Sequence, residues 1–103
     1  MSNDEMQFEW DEVKRLKTVE KHGIDFLDLG AFFAAEHLVT EARREDEARF
    51  LAIGELNGLV IAVVFTERSG RKRIITARRA RRNERENFRA LFAGGTPQDE
   101  GQD

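Results

Sequence analysis

Apolar residues recur along this chain first at helical and then at strand spacing, and the period changes just after Ala35. Phe8 to Trp10 reads as a short extended entry. Val13, Leu16 and Val19 return every third residue, which predicts a helix from the N-cap Asp11 to about His22, with that stripe on one face and Gly23 ending it. A second helix is expected from Asp25 to about Ala35. Asp25 caps it, Ile24 and Leu29 hold the two positions of a hydrophobic staple, and Leu29, Phe32 and Phe33 supply its buried stripe.

Beyond Ala35 the pattern is extended. Leu38 to Ala42 reads as a strand, Arg43 to Glu47 as a charged turn and Arg49 to Leu56 as a second strand. Asn57-Gly58 is the dipeptide preferred in a tight type I′ hairpin, so Leu59 to Thr66 should pair antiparallel with the strand before it. Leu59 to Phe65 is apolar on both faces, as a central strand covered on each side requires. Glu67 to Gly70 makes another turn, Arg71 to Arg79 a fourth strand, and Arg81 to Phe92 a helix anchored by Phe88, Leu91 and Phe92. The expected fold is therefore α+β: two N-terminal helices, an antiparallel four-stranded meander sheet and a C-terminal helix, in one domain over residues 8–92. Residues 1–7 and 93–103 carry no periodicity and are expected to be disordered.

Composition narrows the function classes. A chain of 103 residues is one small domain. It has no cysteine, which excludes disulfides, thiolate metal sites and cysteine nucleophiles and fits a reducing cytoplasm. The longest apolar run, Leu59 to Phe65, is too short to cross a bilayer, and the acidic start has no signal-peptide pattern. No membrane association is expected.

Charge changes the picture most. The net charge is -3, yet residues 68–89 carry 10 Lys or Arg against 2 acids, while residues 1–67 carry 7 against 15. Clustered guanidinium groups suit a polyanion, because each can hold a phosphate bidentately and release condensed counterions. On the fourth strand a regular pleat separates Arg71, Arg73, Ile75, Ala77 and Arg79 from Lys72, Ile74, Thr76 and Arg78. The strand then opens into a helix bearing Arg81, Arg82, Arg85 and Arg89, which gathers cations around one rim. Arg78 and Arg79 are read here as solvent-facing, so that their removal would leave stability nearly intact.

Several separated motifs, in order, resemble the BrnT family of toxins. They are Phe8-Glu9-Trp10-Asp11 with Lys14, Lys21-His22-Gly23, Arg49-Phe50 before Ile53-Gly54, Val64-Phe65-Thr66, and Arg73 to Ala80 with Glu84 four residues on. The likeness covers about residues 8–92. It implies the toxin half of a type II toxin-antitoxin module, a fold similar to RelE-type ribonucleases, and growth arrest by RNA cleavage. It also implies a toxin-antitoxin hetero-oligomer with a BrnA antitoxin that binds operator DNA and represses the shared operon. The chain departs from the family pattern at Glu12, usually Pro, at Thr18, often Asn, and at Phe88, often Tyr.

Metal-free RNA cleavage by the 2′-hydroxyl needs a base near that oxygen, an acid near the leaving 5′-oxygen and cations on the developing phosphorane charge. Arg78 and Arg79 are the first candidates for charge stabilisation, with Arg73 and Arg49 behind them. Lys21 and His22 are candidate acid and base groups, although a His at a helix end also suits the terminal carbonyls. Glu84 and Glu67 are further candidate bases, although Glu84 is better fitted to order neighbouring arginines and Glu67 sits in a turn. Arg68, Arg71, Arg73, Arg81, Arg82 and Arg85 are expected to contact RNA. Trp10 suits stacking on a base or packing in the core. His37 and the acids Glu41, Glu45, Asp46 and Glu47 have no metal-ligand spacing, so no metal or other cofactor is expected. A second class stays open, in which the basic rim only docks an acidic antitoxin segment or RNA and no bond is cut.

Overall fold

The computed structural model describes residues 7–44 and 47–92. Strand β1 (Phe8–Glu9) leads into helix α1 (Glu12–His22). A 3-10 turn (Phe26–Asp28) and helix α2 (Leu29–Ala34) follow, then strands β2 (His37–Arg44), β3 (Glu47–Leu56), β4 (Leu59–Arg68) and β5 (Arg71–Arg79), and helix α3 (Arg82–Phe92).

Local chemistry accounts for most boundaries. The Asp11 carboxylate accepts from the Val13 amide and caps α1, while Gly23 at φ 72° ends it with its N–H on the Val19 carbonyl. Asn57 and Gly58 both take positive φ and close the β3–β4 hairpin with Leu56 opposite Leu59. Ser69 and Gly70 do the same between β4 and β5.

The sheet differs from expectation in two respects. It has five strands in the order β1-β5-β4-β3-β2, because Phe8 and Glu9 pair parallel with Lys72 and Arg73 of β5. The sheet is therefore mixed, and the residues expected as an extended entry form its edge. The expected second helix is also interrupted. Asp25 caps the 3-10 turn through the Leu27 amide, and α2 begins only at Leu29. The charged turn expected between β2 and β3 includes residues 45–46, which lie outside the described residues, as do the two ends expected to be disordered.

One face of the sheet packs Ile61, Val63, Phe65, Ile74 and Ala77 against Ile24, Phe26, Leu29, Phe32 and Phe33. This is the larger core. Gly54 permits it: a Cβ there would stand 3.0 Å from the Phe32 ring and 3.1 Å from the His37 Cβ. The other face packs Ile53, Val60 and Ala62 against Ala80 and Phe88, with Phe92 at the margin. Helix α3 covers only part of that face.

Helix α1 adds no residue to either core. Its apolar stripe points to solvent, with Val13 59%, Leu16 54% and Val19 37% exposed, and Thr18 is its buried residue. Polar contacts anchor the helix instead. Arg15 reaches Asp25 at 2.9 Å and Glu12 at 2.6 Å, and the Thr18 hydroxyl donates to the Lys14 carbonyl at 2.8 Å. Hydrogen bonds from Arg15 and Trp10 hold the Glu12 carboxyl below its ordinary pKa, and the Leu27 amide, then Arg15, do the same for Asp25.

Candidate RNA-binding groove

A bulge in β5 sets the direction of its arginines. Phe65 pairs with Ile74 but Val64 pairs with Thr76, so Ile75 has no partner on β4. One extra residue shifts the pleat by one from there on. Ile74 and Ala77 consequently share the larger core, and Thr76 and Arg78 turn to the opposite face, opposite Val64 and Ala62. The regular pleat read from the sequence assigned Arg73 and Arg78 to opposite faces. The bulge brings them to the same one.

On that face three concavities share their linings. The first, about 260 Å³, lies among Lys14, Arg49, Thr66, Arg73 and Ile75, with the acids Asp11 and Glu47 also on its border. The second, about 200 Å³, is bounded by Lys14, Lys17, Thr18, Lys21, His22 and Thr76. The third, about 430 Å³, lies among Arg49, Leu51, Val64, Thr76, Arg78 and Arg81. Lys14, Arg49, Ile75 and Thr76 each border two of them, so the three form one groove over the part of the sheet that α3 leaves open. One wall is α1 with Lys14, Lys17 and Lys21. The other side carries Arg49, Arg73, Arg78 and Arg81 over an apolar floor.

Arg78 is the best-fixed cation in the groove. Its guanidinium donates to both oxygens of Glu84, at 2.8 and 3.0 Å. Glu84 also accepts from the Arg81 backbone amide at 2.7 Å, the N3-to-N-cap contact of a capping box. Glu84 therefore starts α3 and aims Arg78 with one carboxylate. Arg78 lowers the Glu84 pKa in spite of burial, and Glu84 raises that of Arg78. A carboxylate so engaged is a weak base, and its contacts hold the Arg78 guanidinium in place. The other cations are held loosely: Arg49 meets Glu47 at 3.4 Å and Arg73 meets Glu9 at 3.8 Å.

Of the residues expected at the site, Lys21, His22, Arg49, Arg73, Arg78 and Arg81 border this groove. Arg79 does not. It lies on the opposite pleat face from Arg78, beside Arg85 and Arg89. Arg68 and Arg71 face each other at the far hairpin of β5, and exposed Arg82 pairs with Glu86 at 3.3 Å. The single arginine rim expected from the sequence is thus divided. Arg78 is also half-buried against Glu84, not solvent-facing. Glu67 holds Lys72 at 3.0 Å, and Trp10 packs edge-on against Phe26. His37 stacks on Phe32, and its Nδ1 lies 2.8 Å from the Ala35 carbonyl. Among the described residues no three His, Asp or Glu side chains stand close enough to ligate one metal ion.

Lys14 and Lys17 complete the α1 wall of the groove beside Lys21. Their signal is in the sequence: positions 14, 17 and 21 fall on one helical face. Residues 10–84 match the family described as ribonuclease toxin, BrnT, of type II toxin-antitoxin system. The chain belongs to that family. No curated protein matches it. BrnT membership supplies a ribonuclease toxin class, an RNA target and an antitoxin partner at the level of the family. No described helix is long and apolar enough to cross a membrane. Phe88, where the BrnT pattern often has Tyr, is buried with Ile53, Val60, Ala62 and Ala80 and borders none of the three concavities.

Proposed function

We propose that this chain is a metal-independent endoribonuclease toxin that cuts RNA in the groove between α1 and the open sheet face, to inhibit translation and growth in the cytoplasm. The observation that carries this reading is the Arg78 guanidinium, held by Glu84 and facing a cavity bordered by Arg49 and Arg81, with the α1 wall joined to it through Thr76. The 2′-oxygen attacks the adjacent phosphorus and gives up its proton, while the 5′-oxygen leaves and takes one, so a 2′,3′-cyclic phosphate and a free 5′-hydroxyl result. Arg78, supported by Arg49, Arg73 and Arg81, stabilises the charge that grows on the phosphorane oxygens. Fixed dipoles and cations cost no reorganisation at that moment, which is why the Glu84 clamp matters. Lys21 and His22, at the end of α1 and on the border of the second concavity, carry the proton transfers. Lys14 and Lys17 hold backbone phosphates along the wall.

The partner in this proposal is a BrnA-like antitoxin that supplies the reading of operator DNA. The acidity of the chain as a whole opposes tight binding to a duplex on its own. Toxin-antitoxin association is electrostatically steered in part, and its rate falls as salt rises.

Induced expression of the wild type and of Arg78→Lys, read by growth and by total RNA integrity, tests the proposal. Growth arrest with fragmented RNA for the wild type alone is the expected result. Arrest by both proteins with intact RNA would instead favour binding without cleavage.

A further inference from the structure

The arginines that the groove does not use form a site of their own. Arg79, Arg85 and Arg89 border a cavity of about 280 Å³ closed by Gly58, Leu59 and Val60 at the start of β4 and by Ala80. No carboxylate borders it, and among the described residues none of the three arginines stands within ion-pair distance of an acid. Local structure holds them there. Arg85 and Arg89 are one turn apart on α3, the Arg85 Nη1 donates to the Ala80 carbonyl at 2.9 Å, and Ala80 is tied to Val60 by a backbone bond of 3.0 Å.

We propose that Arg79, Arg85 and Arg89 form a second phosphate-binding site, which grips the backbone of an RNA strand outside the cleavage groove. The proposal rests on the RNA reading of that groove. Arg78 and Arg79 are consecutive and point to opposite faces of β5, so the last two residues of one strand serve both sites. A flexible single strand that leaves the groove past Arg78 and Arg81 meets Arg79 on rounding the junction of β5 and α3. The site has cations but no aromatic ring, so it holds phosphates and reads no bases. A protein partner would need an apolar or aromatic anchor, and of the apolar residues on this border Val60 and Ala80 are buried, which leaves the half-exposed Leu59.

The test uses the full-length protein and a labelled 2′-O-methyl RNA of about 20 nucleotides, long enough to span both sites and lacking the attacking hydroxyl. Binding is measured against salt for the wild type, for Arg79→Gln/Arg89→Gln and for Arg79→Lys/Arg89→Lys. Both residues are exposed, and circular dichroism verifies the fold. Loss of two phosphate contacts should lower the slope of log affinity against log salt by about 1.4, at roughly 0.7 per contact for single strands. Affinity should fall about tenfold or more, and the lysine pair should restore most of the slope. A tetranucleotide substrate, which fills the groove alone, should be cut equally by all three proteins. Unchanged affinity and slope in the glutamine pair would overturn the second site while leaving the groove intact. If the wild type itself fails to bind RNA, both readings fall. Loss of antitoxin binding with RNA binding unchanged would overturn the proposal in favour of a protein-docking surface.

Discussion

Arg78, one residue from the end of β5, and Glu84 on the first turn of α3 share two hydrogen bonds of 2.8 and 3.0 Å, and the same carboxylate accepts from the Arg81 amide at 2.7 Å. One side chain thus joins sheet to helix and fixes the direction of a guanidinium that faces the groove. Structure and function are coupled at this point, so substitutions here have two readouts.

Arg78→Ala is expected to abolish RNA cleavage and also to destabilise the fold, because it leaves Glu84 buried without its partner. The loss should be about 2–3 kcal/mol, toward the lower end for a broken buried pair because Arg78 keeps some contact with water. Arg78→Lys keeps the charge but not the fork, and should retain most of the stability with little activity. Urea unfolding beside a cleavage assay separates the two effects.

Acid should weaken the protein through the same carboxylate. The Arg78 hydrogen bond first, and the Arg81 amide after it, hold the Glu84 pKa below its usual 4.5 in the folded state. A depressed carboxylate contributes stability that is fully present above the unfolded value and lost as pH falls through the folded one. The thermal midpoint should therefore drop below about pH 4.5. Glu84→Gln should lower it at neutral pH and flatten that acid limb.

The strand bulge offers a test by deletion. Removing Ile75 takes out the residue without a β4 partner and leaves Ile74 and Ala77 on the core face and Thr76 and Arg78 on the groove face. Activity should survive, with a loss of about 1 kcal/mol. Removing Ala77 instead turns Arg78 toward the core and should abolish folding or activity. Soluble yield, circular dichroism and cleavage rate distinguish the two deletions.

Helix α1 predicts an inverted pattern of core sensitivity. Leu16→Ala on the exposed stripe should change stability by less than about 0.5 kcal/mol. Phe32→Ala in the larger core should cost about 3–5 kcal/mol. Gly54→Ala should cost about 1–3 kcal/mol, because the added methyl meets the Phe32 ring and the base of His37. Denaturant midpoints at constant slope measure all three.

These cases also mark what the sequence made legible. Asp11, Gly23 and Asn57-Gly58 act on neighbours within a few residues, so the limits of α1 and the β3–β4 hairpin could be read directly. Strand β1 could not. Its two residues pair with Lys72 and Arg73, far along the chain, and no local pattern reports such a partner. The exposure of Val13, Leu16 and Val19 was equally hidden, since their spacing marks a helix face but not what it faces. The abundance of arginine on β5 and α3 was plain, and Lys21, His22, Arg49, Arg73, Arg78 and Arg81 do border one groove. Which arginines belong together was not plain, because the bulge at Ile75 depends on the register with β4.

The most direct measurement is the chemistry of the RNA ends. Purified protein is incubated with a defined RNA in excess chelator, and the fragments are analysed by mass spectrometry. The account predicts cleavage by the wild type, with 2′,3′-cyclic phosphate and 5′-hydroxyl ends, and little by Arg78→Lys. Intact RNA with the wild type, or cleavage that appears only when a divalent metal is restored and leaves 5′-phosphate ends, would contradict it.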